Sequence, residues 1–214
     1  MLQIKHNEVA GYKEKRIMYS TFSINEEAKG LAIMFPGIGY TVQGPLFHFA
    51  TSIFLNKEID VLQLEYPYGD SFYDHFTDQQ LVEAVKHDSE VVIDQVLENK
   101  DYDYFYLIGK SFGTIALSNG IRKTRFEQAK TVWLPPLLRH DDVWNAMKES
   151  TGEGLCFIGD QDSHYEQNRF KVLENNQNMK TKLYNKVNHG MEYEGDILMS
   201  IDILKDIMRE VNHF

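Results

Sequence analysis

Five short apolar runs punctuate the chain: GLAIMF (Gly30 to Phe35), VLQLEY (Val61 to Tyr66), YFYLI (Tyr104 to Ile108), TVWL (Thr131 to Leu134) and LCFI (Leu155 to Ile158). Runs this short suit strands covered on both faces better than buried helices. TKLYNKV (Thr181 to Val187) is a sixth candidate, more mixed and nearer an edge. Between them, Leu81, Val82, Val85, Val92, Ile93, Val96 and Leu97 recur at helical spacing, interrupted by Asp88 and Ser89, with Thr77-Asp78 suited to cap the helix. Ile197, Leu198, Ile201, Leu204, Met208 and Val211 repeat the pattern near the C-terminus. Alternation of this kind predicts an α/β chain, a mainly parallel central sheet with helices on both faces. QIKHNEV and RIMYSTFSI, near the N-terminus, suit an antiparallel edge pair. No repeat, low-complexity tract or linker divides the 214 residues, so residues 1–214 are expected to form one domain.

In such a sheet, ligands gather at the carboxyl ends of the strands. The stretch YFYLIGKSFGT (Tyr104 to Thr114) holds two motifs at that position. Gly109-Lys110-Ser111 matches the end of a phosphate-binding loop, but that loop requires glycine where Tyr104 stands and a flexible turn where Phe105 to Ile108 form a strand. Gly109, Ser111 and Gly113 form G-x-S-x-G, with a strand before it and a helix-like TIALSNGI after it. That strand–turn–helix context is what presents a nucleophilic serine, and Lys110 is then a variable position.

A serine hydroxyl attacks carbonyls only when a base removes its proton. Of eight histidines, His189 follows the last strand candidate and precedes the last helix. His6 and His213 lie near the termini, and His48 and His87 lie in helical stretches. His75 and His140 occupy loop-like segments and remain candidates. A carboxylate must orient the base, and GDQDSHY after LCFI offers Asp160 and Asp162, at least one of which makes the turn itself.

GKSFG, IGDQD and NHG follow in the order Ser, Asp, His, and the pattern from about Gly30 onward resembles the α/β-hydrolase superfamily. The resemblance implies that Ser111 is the nucleophile and His189 the base. The family's G-x-x-D after the strand matches Gly159 to Asp162 and selects Asp162 as the acid, with His164 beside it as a lining residue. FPGIGYT is similar to the family's HGxG-type loop, with proline in place of histidine. This implies an oxyanion hole made by the main-chain N–H groups of Phe112 and Ile38, with Gly39 as the alternative to Ile38. Gly39, Tyr40, Tyr68 and Phe72 are candidate pocket residues, the last two from the aromatic segment YPYGDSFYDHF. WLPPLL (Trp133 to Leu138) is a further candidate border.

The implied activity is that of a small, lidless serine hydrolase acting on a small or medium ester or thioester. A catalytically silent binding protein of the same fold is the alternative. A small-molecule acyl substrate is the expected partner. The formal net charge of -10 argues against nucleic acid or an anionic membrane. No histidine and carboxylate set has metal-ligand spacing, and no cofactor is expected. A single cysteine, Cys156 in an apolar run, and the absence of a signal-like or membrane-spanning run suggest a cytoplasmic protein.

Overall fold

The computed structural model describes residues 1–98 and 100–214. The apolar runs fall within one sheet of eight strands: β1 (Gln3–Ala10), β2 (Arg16–Ser23), β3 (Gly30–Phe35), β4 (Asp60–Glu65), β5 (Tyr104–Ser111), β6 (Lys130–Pro136), β7 (Gly154–Gly159) and β8 (Met179–Tyr184). Their spatial order is β1-β2-β4-β3-β5-β6-β7-β8. β1 pairs antiparallel with β2, and β2 antiparallel with β4; every pairing from β4 across to β8 is parallel. The N-terminal edge pair is therefore present, and β8 forms the opposite edge.

Six α-helices are described: α1 (Pro45–Asn56), α2 (Asp78–Leu97), α3 (Gly113–Gly120), α4 (Asp141–Glu149), α5 (Gln167–Glu174) and α6 (Ile197–His213). Strand alternation divides the core between the two faces. In β3, Leu31, Ile33 and Phe35 join the cluster that includes residues of α2, α3, α4 and α5, whereas Ala32 and Met34 join the one that includes residues of α1 and α6. No described helix is long and apolar enough to cross a membrane.

Several expectations shift. β4 starts at Asp60 and leaves out Tyr66; β8 ends at Tyr184, and Val187 instead bridges to Tyr193 in the following loop. On α6 the buried side chains are Ile203, Ile207 and Val211, while Ile197 and Leu198 are 79% and 74% exposed. Helical period identifies a face but not the part of its length that meets the sheet. Asp88 and Ser89 do not break the buried stripe of α2, because both lie inside it. Asp88 accepts hydrogen bonds from the Tyr12 N–H at 2.5 Å and the Tyr68 hydroxyl at 2.7 Å. Ser89 Oγ lies 2.7 Å from the Tyr66 hydroxyl and donates to the Val85 carbonyl. Burial pushes the Asp88 carboxyl above the usual carboxylate range, against the pull of those two donors.

Thr77 caps α2 with its side chain accepting from Gln80 N–H, while the Thr77 N–H donates to Gln80 Oε1. The turn into α3 is set by crowding. A Cβ at Gly113 would lie 2.0 Å from the Phe35 carbonyl oxygen, so the helix approaches β3 as only glycine permits. Gly113→Ala is expected to cost about 1–3 kcal/mol of stability, as overpacked cores do. A denaturant midpoint equal to wild type would show that this turn relaxes freely.

Candidate active site

The predicted residues converge at the carboxyl edge of the sheet. Ser111 ends β5 with φ of 51°, a left-handed conformation disfavoured for any side chain with a Cβ. The strain is held from below: Thr114 Oγ1 donates to the Ser111 carbonyl at 2.6 Å and accepts from Leu137 N–H, fixing the turn against the exit of β6. α3 begins directly after Phe112, so its N-terminus lies beside Ser111.

Asp162 follows β7 by three residues and His189 follows β8 by five. His189 Nε2 lies 2.8 Å from Ser111 Oγ, and His189 Nδ1 lies 2.7 Å from Asp162 Oδ2. An ionised carboxylate only accepts, so Nδ1 carries the hydrogen and Nε2 accepts from the serine hydroxyl. The Asp162 side chain is fully buried, and its second oxygen accepts from His164 N–H at 2.8 Å. Gln161 N–H donates to the Val187 carbonyl, tying the aspartate loop to the histidine loop. Asn188 shapes that loop by accepting from Gly190 and Glu192 N–H groups.

Asp160 stands apart. Its Oδ1 accepts from Lys186 N–H at 2.6 Å and from the Gln161 amide, which is a turn-forming role. The His164 ring centroid lies 5.2 Å from that of His189. His75 and His140, the other loop candidates, make no described hydrogen bond to Ser111.

The loop after β3 lies against Ser111, since a Cβ at Gly37 would lie 3.0 Å from Ser111 Cβ. Gly37 bridges to Tyr40, with Ile38 and Gly39 at the tip, the latter at φ of 75°. Among the described residues no acceptor is paired with the main-chain N–H of Ile38 or of Phe112.

The aromatic segment after β4 is a packed cluster. Tyr68 stacks on Tyr66 at 5.1 Å and meets Phe112 edge-on at 5.7 Å, with its hydroxyl committed to Asp88. Tyr68 is buried, whereas Phe72 is 38% exposed and rests on Tyr73 and Phe76. Tyr40 lines a cavity of about 200 Å³ with Leu46, Met191, Ile197, Ile201 and Leu204, next to Gly190 of the histidine loop. From WLPPLL, Trp133 to Leu138 are buried.

Lys110 is the residue that sequence reasoning misread. Far from being an unconstrained position, it is 2% exposed, and its Nζ donates to the His189 carbonyl at 3.1 Å. The same ammonium lies 4.4 Å from the centroid of the Tyr40 ring. A variable position within G-x-S-x-G carries no signal of its own, and nothing in the flanking letters points to a partner 79 positions away.

No protein-family model matches the chain, and no curated protein matches it. Solved structures do resemble it. An alpha-beta serine hydrolase homologue from Coxiella burnetii superposes with a TM-score of 0.69 at 14% identity, covering 96% of each chain. A cold-adapted esterase from an Arctic intertidal metagenomic library gives 0.72 at 9% identity, covering 99% of this chain and 94% of its own. A serine hydrolase without lid from Xanthomonas campestris gives 0.68 at 14% identity, over 97% and 94%. Similarity this distant in sequence, yet spanning nearly the whole of each chain, is likeness of fold. With the strand order observed, it establishes that this chain has the α/β-hydrolase fold.

Proposed function

We propose that this chain is a single-domain cytoplasmic serine hydrolase that cleaves a small or medium carboxylic ester or thioester. The observation that supports it is the unbroken hydrogen-bonded series from Ser111 Oγ through His189 to the buried Asp162 carboxylate. Ser111 Oγ attacks the acyl carbonyl carbon as its proton passes to His189 Nε2, and the carbonyl π pair moves onto oxygen. The main-chain N–H groups of Ile38 and Phe112 stabilise that oxyanion. The imidazolium, held by Asp162, then protonates the leaving alkoxide or thiolate as the C–O or C–S bond breaks. Water gives a proton to His189 and attacks the acyl-enzyme. Collapse of the second intermediate releases the carboxylic acid and restores the serine hydroxyl.

The cycle needs no cofactor. Gly39 and Tyr40, on the loop that carries Ile38, border the acyl group, and Tyr68, against Phe112, and Phe72, packed on Tyr73 and Phe76, contribute an aromatic wall. A fluorophosphonate probe tests the reading directly. The wild-type chain is expected to be labelled at Ser111 and to hydrolyse p-nitrophenyl esters, with a maximum among short and medium acyl chains. A folded wild type that takes up no label would point instead to a binding protein.

A further inference from the structure

Lys110 is an unusual residue to bury. Moving an ammonium out of water is costly unless it is paired, and no carboxylate among the described residues forms a direct ion pair with it. Its hydrogen-bond partner is instead the main-chain carbonyl of His189. Its other neighbour is the face of Tyr40, where a cation is attracted by the ring's negative π surface. The side chain leaves the backbone one residue before Ser111. A single four-carbon strut therefore runs from the nucleophile's own strand to the backbone of the base, and touches the loop that bears Ile38.

An apolar side chain of similar length would fill the same space without the desolvation cost. What only the ammonium supplies is a strong donor to the His189 carbonyl and a charge for the Tyr40 ring. We propose that Lys110 is a positioning residue: its ammonium fixes the His189 backbone so that Nε2 stays in register with Ser111 Oγ. This rests on the serine-hydrolase reading of the site.

The charge is open to titration. Burial pushes the Lys110 ammonium down to about 8, partly offset by the carboxylates of Asp162 and Glu192. The groups that face it are Tyr40 from the loop after β3, Asp162 from the loop after β7, and the His189 carbonyl and Glu192 from the loop after β8. Burial raises the Tyr40 hydroxyl, so the ring stays a neutral phenol while the lysine loses its proton. Deprotonation removes the cation from the ring and weakens the bond to the carbonyl, so activity should fall as pH rises through about 8.

The test uses the full chain and Lys110→Met, which keeps the length of the stem and removes the charge. With p-nitrophenyl butyrate, kcat of the variant is expected to fall by about 10- to 100-fold while KM changes by less than about 2-fold, as for a misplaced base. Fluorophosphonate labelling should slow in parallel. The wild-type profile of kcat against pH should show a descending limb near 8 that the variant lacks. Lys110→Met with wild-type labelling rate, or with the same descending limb, overturns the proposal. If the variant does not fold, the wild type decides alone, and a kcat that stays level from pH 7 to 10 overturns it. Wild type that is never labelled removes the hydrolase reading and this proposal together; wild type labelled normally beside an unimpaired variant removes only the role of Lys110.

Discussion

Ser111→Ala is expected to abolish fluorophosphonate labelling and to lower ester turnover by about 10⁴- to 10⁶-fold, the range seen when a nucleophile of this type is removed. The fold should survive, because the hydroxyl's described side-chain partner is His189, and that ring keeps its bond to Asp162. A companion variant separates chemistry from strain. Residue 111 sits at φ of 51°, which alanine tolerates no better than serine. Ser111→Gly accepts that conformation without a Cβ, and should be more stable than Ser111→Ala by about 0.5–1 kcal/mol after the extra chain entropy of glycine is counted. For a chain of this size that is about 1–4 °C in melting temperature. Equal melting temperatures for the two variants would show that the elbow is not strained; turnover retained by either would remove Ser111 from the mechanism.

Asp162→Asn is expected to lower kcat by about 10⁴-fold, through the wrong histidine tautomer rather than through lost packing. The environment decides which way the amide points. Oδ1 of Asp162 accepts from the His164 N–H, so the asparagine carbonyl oxygen takes that place and its NH₂ faces His189 Nδ1. Nδ1 must then accept, which puts the hydrogen on Nε2, where it can no longer take a proton from Ser111. Asp160→Asn keeps an oxygen for the Lys186 N–H and should change kcat by less than about 3-fold. Measured side by side on a p-nitrophenyl ester, the reverse ranking would overturn the choice of acid.

The two carboxylates also show how far the letters reach. Both stand in a four-residue turn, and only the resemblance to G-x-x-D favoured the second. In space they differ: the Asp162 side chain is buried between two donors, whereas Asp160 faces the turn it closes. β3 and β5 were legible because period and apolar length are local properties of a strand. Of the described helices, α4 and α5 went unassigned. They are short, and α4 and α5 bury only three and two side chains each, too few to stand out as a periodic stripe.

By itself the sequence determined the alternation that makes a mainly parallel sheet, the turn that carries Ser111, and the chain order of the residues that join it. Those follow from spacing along the backbone. Only the tertiary structure decided the fates of the polar side chains in apolar surroundings. Asp88 finds the Tyr12 N–H 76 positions away, and Lys110 finds the carbonyl of His189 79 positions away. A buried charge is tolerated only where its partners converge, and convergence is a property of the packed sheet edge, not of the few residues on either side.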